Sequence, residues 1–183
     1  MIAIQTESFL SPSQCSHIID VALETGVWDV AKTRDADTGT TIKGYDRKGR
    51  VCFVAPQLIL DEANDIGGHL HDLNDDKFKL DLTGKFEFQV AEYVVGDHFN
   101  WHRDDHWLTT EAPWSGRKLS FCMQLSNSLD YTGGDLEIYE LPNLKRALGS
   151  AVVFPSFHPH QVTPVITGKR YSLVCWALGP KWR

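Results

Sequence analysis

After residue 84 the sequence repeats one pattern, in which short stretches of alternating apolar and polar residues are separated by residues that favour turns. The stretch 85–95, KFEFQVAEYVV, shows the pattern well, because its apolar side chains recur with the period of two that places them on one face of a β-strand. Gly96 and Asp97 then mark a turn. Short strands at such spacing are typical of a β-sandwich or barrel. Further strands are predicted at 118–126, 135–139, 151–154, 161–165 and 171–178.

The first 84 residues differ, because two of their stretches have apolar residues at helical spacing. The first stretch covers 12–25, where Ser11 or Ser13 can cap a helix. The second covers about 56–73. Between them, the polar and glycine-containing segment 31–50 predicts a loop or a hairpin. The sequence therefore predicts an α+β fold, in which N-terminal helices pack on one sheet of a β jelly roll.

Length and charge restrict the classes of protein to consider. With 183 residues the chain can form one domain with a sizeable core, so we expect a single domain over 1–183, with an N-terminal part at 1–84 and a jelly-roll core at 85–178. The net charge of -6 argues against a nucleic-acid partner, which would need a basic excess. The four cysteines are scattered and predict free, buried thiols. Because no secretion signal or membrane-spanning stretch is visible, we expect a cytoplasmic protein with no membrane partner.

Two histidines and one carboxylate, His102, Asp104 and His160, are candidates for a shared metal ion. The His-x-Asp motif alone carries little weight, but here it follows a predicted strand, where residues two apart share a face. Arg170 and Ser172 are likewise two apart on a predicted strand. Two histidines and a carboxylate are the ligands of non-haem Fe(II) sites with open coordination positions. A permanently charged arginine suits the far carboxylate of a 2-oxo acid.

These motifs lie within longer segments that resemble a known family. Over residues 9–176 the chain resembles the prolyl 4-hydroxylase-like branch of the Fe(II)/2-oxoglutarate dioxygenases. The segments that carry the resemblance are FLSPSQCSHII, YVVGDHFNWHRDD, LSFCMQLSNSLDYTGGDLEIY and GSAVVFPSFHPHQVTPVITGKRYSLVCW. The resemblance implies a double-stranded β-helix, a jelly roll whose two sheets enclose the site.

The resemblance also implies a role for each motif residue. His102, Asp104 and His160 would be the catalytic metal ligands, and Arg170 would anchor 2-oxoglutarate. Ser172 and Tyr93 are further candidates for binding the co-substrate, since each has a hydroxyl on a strand that enters the site. The implied cofactors and co-substrates are Fe(II), 2-oxoglutarate and O2, with ascorbate as an accessory reductant.

Three of these assignments have a close neighbour that could replace them: His158 for His160, Asp105 for Asp104 and Lys169 for Arg170. The resemblance favours His160, by its position relative to the sequence Thr-Pro-Val at 163–165. Asp105 would face away from the site in an extended segment, and Lys169 does not share a strand face with Ser172.

The leading functional hypothesis is a hydroxylase of an unactivated C–H bond that releases succinate and CO2. The resemblance favours a prolyl residue of a protein or peptide as substrate, and a free amino acid or other small molecule is the alternative. A non-catalytic jelly-roll metal-binding module, or a zinc site on the same ligands, is the alternative from another class. Trp107 and Trp114 lie in a predicted loop that could cover a substrate cleft, and 31–50 lies where relatives carry a loop that closes over peptides. The oligomeric state is not predicted.

Overall fold

The computed structural model describes the backbone and side chains of most of the chain. The described residues are 3–31, 47–105, 116–141 and 143–181, with the backbone alone described for 33–34 and 41–42. The predictions for Trp107, Trp114 and most of the segment 31–50 therefore lie outside the described residues.

Both predicted helices are present. They are α1 (Pro12–Thr25) and α2 (Leu60–Leu73), with a 3-10 turn at Pro56–Ile59 before α2 and a π-helical turn at Asn74–Phe78 after it. Ser11 caps α1, because its hydroxyl accepts a hydrogen bond from the backbone N–H of Gln14 at 3.3 Å. The Gln14 side chain in turn accepts one from the Ser11 N–H at 3.0 Å. This reciprocal capping box explains why the helix begins where it does.

Each segment predicted as a strand contains strand structure, and further strands come from both halves of the chain. The described strands are β1 (Ile4–Thr6), β2 (Asp29–Val30), β3 (Thr33–Arg34), β4 (Thr41–Ile42), β5 (Arg47–Lys48), β6 (Arg50–Val54), β7 (Phe86–Tyr93), β8 (His98–His102), β9 (Arg117–Gln124), β10 (Tyr131–Gly133), β11 (Leu136–Ile138), β12 (Ala151–Pro155), β13 (His160–Val162), β14 (Val165–Gly168) and β15 (Arg170–Leu178).

Two antiparallel sheets make up the core. The larger sheet has the order β1-β12-β9-β15-β7-β6-β2, and the smaller has the order β11-β13-β8-β5. A cluster of buried side chains from both sheets fills the space between them. The helices pack on the outer face of the larger sheet. This is the double-stranded β-helix with N-terminal helices on one sheet that the sequence predicts.

The two faces of the larger sheet bury different side chains, because successive residues of a strand point to opposite faces. On β9, Leu119, Phe121 and Met123 belong to the cluster that packs against the helices. Cys122 belongs to the cluster between the two sheets. The strands of the larger sheet are therefore buried on both sides, and their inner face is the wall of the interior.

Two of the differences from the sequence prediction concern how strands join the sheets. First, β1, β2 and β6 from the N-terminal part join the larger sheet, where β1 pairs with β12 and β6 pairs with β7. Second, the predicted strand 161–165 is wrong as a single element, since β13 pairs with β8 and β11 whereas β14 pairs with β10. Pro164 separates the two strands, because it has no N–H to donate to a ladder.

The four cysteines, Cys15, Cys52, Cys122 and Cys175, are free and buried, as predicted. Burial raises the pKa of Cys15 to about 11, so its thiol stays protonated and unreactive at neutral pH. In the described part of the chain, no helix is both long and apolar enough to cross a membrane.

Candidate metal and co-substrate site

The structure brings His102, Asp104 and His160 together between the two sheets. His102 ends β8 and lies opposite His160, which begins β13, so the strand pairing itself sets the two imidazoles side by side. Asp104 lies two residues beyond β8. Its carboxylate oxygens are 3.7 Å from Nε2 of His102 and 3.5 Å from Nε2 of His160. The three ligand atoms all lie within 4.8 Å of one another.

Asp104 is turned inward by hydrogen bonds to the larger sheet. Its backbone N–H donates to the carbonyl of Ser156 at 2.9 Å. The Ser120 hydroxyl, on the inner face of β9, donates to Oδ2 of Asp104 at 2.6 Å and lies 3.0 Å from the Ser156 hydroxyl. Only 8% of Asp104 is exposed. The carboxylate is therefore held in one orientation before any ligand binds.

Both histidines are fixed in the tautomer that a metal requires. Nδ1 of His102 lies 2.8 Å from the carbonyl of Asn100, and Nδ1 of His160 lies 3.0 Å from the carbonyl of His158. A carbonyl can only accept, so each Nδ1 carries the proton and each neutral ring keeps its lone pair on Nε2. Such bonds to the nitrogen that faces away from the metal are usual for metal-binding histidines. The Nε2 atoms are also the ones that face Asp104.

Aromatic rings pack against both imidazoles. Phe99 stacks on His102 with ring centroids 3.3 Å apart and planes 10° from parallel. Phe154 meets His160 edge-on at 4.8 Å. These contacts limit rotation of the rings and keep water from their faces.

The charge states of the cluster favour a cation. Burial, and after it the neighbouring His160, lower the pKa of His102 well below its ordinary value, which keeps the ring neutral. Burial alone would raise the pKa of Asp104, but His160 and His102, with smaller contributions from Arg117 and the Ser120 hydrogen bond, hold it well below its ordinary range. At neutral pH the cluster therefore presents a neutral His102 ring and an ionised Asp104 carboxylate.

Two of the competing residues lie outside the cluster. The side chain of His158 points elsewhere, with Nε2 3.2 Å from the carbonyl of Tyr139. Asp105 is buried, but it is not among the grouped ligand atoms. The described geometry therefore groups Asp104 and His160 with His102, and groups neither of these neighbours with it.

A second group of polar side chains surrounds Arg170, which is 2% exposed. Its Nε donates to the side-chain oxygen of Gln124 at 3.1 Å and its Nη1 donates to the hydroxyl of Ser172 at 3.2 Å. The guanidinium carbon lies 5.6 Å from the ring centre of Tyr93, the partner of Arg170 in the β15–β7 ladder. Within the described residues, no carboxylate approaches Arg170 to within 4.0 Å. By contrast, the competing Lys169 is exposed and pairs with Glu92 at 3.2 Å.

A glycine makes room for this arginine. Gly134 has a φ of +61°, and a Cβ built there would lie 3.1 Å from Cδ of Arg170 and 2.9 Å from the Val165 side chain. Any larger residue would be strained by its backbone and would crowd the arginine. Gly134 therefore shapes the Arg170 pocket.

Two residues of the site were not predicted from the sequence, namely Ser120 and Gln124. They lie with Cys122 on the inner face of β9, at alternate positions of the segment LSFCMQLS. The signal that could have identified them is a buried strand with Ser, Cys and Gln on one face and Leu, Phe and Met on the other. Cys122 lies between the two groups, and burial raises the pKa of its thiol, so it offers no thiolate to a metal.

The residues fit a six-coordinate metal that prefers nitrogen and oxygen ligands. His102, Asp104 and His160 are the only group of three or more potential ligands that come together in the described part of the chain, and no thiolate belongs to it. Two histidines and one carboxylate, all within reach of one ion, match the ligand set of mononuclear non-haem Fe(II) sites.

Comparison with known proteins indicates a family for the jelly-roll part of the chain. Residues 88–178 match the sequence model of the 2OG-Fe(II) oxygenase superfamily. A PKHD-type hydroxylase from Shewanella oneidensis is 39% identical over 87 residues, which cover 46% of this chain and 39% of that protein. A PKHD-type hydroxylase from Hyphomonas neptunium is 36% identical over 84 residues. The chain thus spans about two fifths of the length of the curated relatives it matches.

Solved structures show the same fold at low sequence identity. A Pseudomonas putida prolyl-4-hydroxylase has a TM-score of 0.70 and 20% identity, over 97% of this chain and 92% of that one. A Trichoplax adhaerens prolyl hydroxylase in complex with a hypoxia inducible factor peptide has a TM-score of 0.74 and 18% identity, over 97% and 83%. The family match contains His102, Asp104, His160 and Arg170. The sequence match therefore places residues 88–178 in the 2OG-Fe(II) oxygenase superfamily.

Proposed function

We propose that this protein is an Fe(II)- and 2-oxoglutarate-dependent dioxygenase that hydroxylates an unactivated C–H bond of a prolyl residue in a protein or peptide. The observation that carries the proposal is the buried Arg170, which has no carboxylate partner among the described residues and lies in the same interior as the triad of His102, Asp104 and His160. Burial of a cation without a counter-charge costs free energy, so we expect an anionic ligand to bind next to Arg170.

The triad would hold the metal. Nε2 of His102, Nε2 of His160 and a carboxylate oxygen of Asp104 are the donors, and hydrogen bonds from each to the surrounding chain fix their directions. A bound Fe(II) would supply O2 activation coupled to the oxidative decarboxylation of 2-oxoglutarate to succinate and CO2. Ascorbate would serve as an accessory reductant.

Arg170 would bind the far carboxylate of 2-oxoglutarate. Ser120, which contacts Asp104, and Gln124, which contacts Arg170, are four residues apart on β9, or about 13 Å along the strand. Because the side chains at both ends of this distance (about 13 Å of strand) extend toward each other, a five-carbon diacid can span the gap between the metal ligands and Arg170. Ser172 already contacts the guanidinium, and the Tyr93 hydroxyl would be a further donor to the same carboxylate.

The prolyl substrate rests on the comparisons. The curated relatives are PKHD-type hydroxylases and the structural neighbours include prolyl 4-hydroxylases, one of them solved with a peptide. A protein or peptide substrate for this chain follows as a proposal from that likeness.

The test is turnover of the co-substrate. Purified protein with Fe(II), 2-oxoglutarate and air should release succinate, and a mixture of proline-containing peptides should show a product heavier by one oxygen atom. Asp104→Ala should abolish succinate release, whereas Arg103→Ala, an exposed neighbour between two ligands, should retain it. Absence of Fe(II)-dependent succinate from the wild-type protein would falsify the proposal.

A second pair of variants tests the role of Arg170. Arg170→Gln should raise the KM for 2-oxoglutarate by about 30-fold, equivalent to about 2 kcal/mol of lost charged hydrogen bonding. Lys169→Gln removes the same charge from the adjacent, exposed position and should leave that KM unchanged. Equal effects of the two substitutions would contradict the assignment.

A further inference from the structure

A second arginine lies on the other side of the triad. Arg47 is on β5 of the smaller sheet, opposite Phe99 in the ladder with β8. Its guanidinium lies 4.4 Å from the Phe99 ring centre, and Phe99 stacks on His102. Nη2 of Arg47 crosses to the larger sheet and donates to the side chain of Gln89 at 3.1 Å. Arg47 therefore spans the two sheets one aromatic ring away from a predicted metal ligand.

No described carboxylate neutralises the charge of Arg47. Gln89 is neutral, and among the described residues no carboxylate lies within 4.0 Å of the guanidinium. The Nε of Arg47 is buried and has no acceptor in the described part of the chain. The nearby Arg117 differs, because its Nε and Nη2 donate to Glu87 at 3.1 and 2.9 Å.

A second buried donor lies beside this arginine. The indole Nε1 of Trp176 is buried and has no acceptor among the described residues. Trp176 pairs with Glu87 on β7, two residues from Gln89, and Arg117 stacks on its ring at 3.4 Å. Counting only the described residues, two buried donors thus lack acceptors and one positive charge lacks a carboxylate partner in this part of the interior.

The position of Arg47 and Trp176 distinguishes them from the Arg170 pocket. Trp176 and Arg170 are six residues apart on β15, or about 20 Å along the strand. Trp176 pairs with Ser120, which holds Asp104, so Trp176 lies at the level of the triad. Gln89, the partner of Arg47, pairs with Val174, one inward-facing position from Trp176. The co-substrate would extend along β9 and β15 from the triad toward Arg170, whereas Arg47 reaches β7 from the edge strand β5. This arrangement leaves the Arg47 side for the molecule that is oxidised.

We propose that Arg47, with the Trp176 indole as a second donor, binds a carboxylate of the substrate next to the carbon that reacts. The inference rests on the proposed function and specifies its substrate class. A carboxylate offers the acceptors that both donors lack and the charge that Arg47 needs. It can come from the α-carboxylate of a free imino acid or C-terminal residue, or from an acidic side chain within a peptide.

Calorimetry with paired probes tests the proposal. The probes are the free amino acids and acetylated dipeptides ending in proline, each as the acid and as the carboxamide, together with capped peptides Pro-Asp and Pro-Asn. Each is titrated into the wild-type protein loaded with Mn(II) and 2-oxoglutarate without O2, and into Arg47→Gln and Lys48→Gln. Lys48 is the control because it neighbours Arg47 on β5, is exposed and pairs with Asp97 at 3.5 Å.

We expect wild-type protein to prefer one carboxylate series over its neutral partner by at least about tenfold, which corresponds to 1.4 kcal/mol. Arg47→Gln should abolish the preference and Lys48→Gln should retain it, with 2-oxoglutarate affinity unchanged in both. The series that shows the preference identifies the source of the carboxylate.

The contrary outcomes are equally defined. Absence of a preference, persistence of it in Arg47→Gln, or failure of every probe to bind overturns the proposal. If Arg47 only braced the two sheets, Arg47→Gln would weaken acids and carboxamides alike and lower the melting temperature. Succinate release by the wild-type protein distinguishes failure of this inference from failure of the proposed function. Release of succinate without a carboxylate preference would refute this inference and leave the proposed function standing.

Discussion

The two faces of the larger sheet both bury side chains but differ in chemistry. On the helix-facing side, β9 contributes Phe121 and β15 contributes Leu173, both fully buried among apolar residues. On the inner face the same strands contribute Ser120 and Arg170, buried just as deeply. The apolar face needs nothing but its own packing, whereas the inner face holds polar groups whose burial is favourable only when they are paired. The helix side therefore stabilises the fold, and the inner side is left for ligands to complete.

The largest expected effect comes from removing a ligand on the inner face. His160→Ala should lower Fe(II) or Mn(II) affinity by about 1000-fold or more, because a lost ligand should exceed the 10–100-fold typical of residues behind the ligands. His158→Ala is the control two residues away, since its ring contacts only the Tyr139 carbonyl in the described structure and its backbone carbonyl still holds His160. Calorimetric metal titration checks both. Comparable metal affinity in the two variants would show that the ligand is misassigned.

The next-largest expected effect distinguishes the two faces of one strand, β9. Phe121→Ala should reduce the free energy of unfolding by about 3–4 kcal/mol, because it leaves a cavity in the packed core beside Phe9. Metal affinity of the folded protein should not change. Its neighbour Ser120 faces Asp104, so Ser120→Ala should instead lower metal affinity by about 10–100-fold. Urea unfolding and metal titration of both variants check the contrast, and loss of metal affinity in Phe121→Ala would break it.

The sequence predicts that His102 and Asp104 lie together because the geometry of this pair is local. His102 and Asp104 are two residues apart after a strand, so their shared face follows from the period of an extended chain. His160 is distant in sequence, and only the family resemblance selects it over His158. The structure supplies the reason, which is that β13 pairs with β8 and sets His160 opposite His102.

Residues that depend on long-range register could not be predicted in the same way. Gln124 contacts Arg170 because β9 and β15 are adjacent, and no local pattern specifies that adjacency. Arg47 lies in a polar segment that resembles a solvated loop, and its role becomes visible only once β5 is paired with β8. Propensity and periodicity report on a strand's own faces, whereas neighbours across a sheet depend on the topology of the whole chain.

Glu92 allows a finer comparison, since it is a buried charge whose partners are supplied by the chain itself. It follows the inner-facing Ala91 on β7 and therefore lies on the opposite face. Its carboxylate accepts hydrogen bonds from Tyr171 at 2.6 Å, from Arg50 at 2.6 and 2.8 Å, and from Lys169 at 3.2 Å. Burial alone would raise the pKa of Glu92, but these donors lower it below the ordinary value of 4.5.

Glu92→Gln should therefore lower the free energy of unfolding by about 1–2 kcal/mol at neutral pH, through weaker charged hydrogen bonds. Because the pKa is lower in the folded state, ionised Glu92 stabilises the fold above pH 4.5, and this contribution is lost as the pH falls through the folded-state value. The difference between wild type and variant should shrink accordingly in urea unfolding at decreasing pH. Asp76→Asn, which breaks an exposed pair with Lys77, should cost less than about 0.5 kcal/mol throughout. If the difference in unfolding free energy between wild type and Glu92→Gln did not change with pH, the variant would be destabilised by lost packing and not by lost charge. Glu92 would then resemble the apolar core rather than a paired charge.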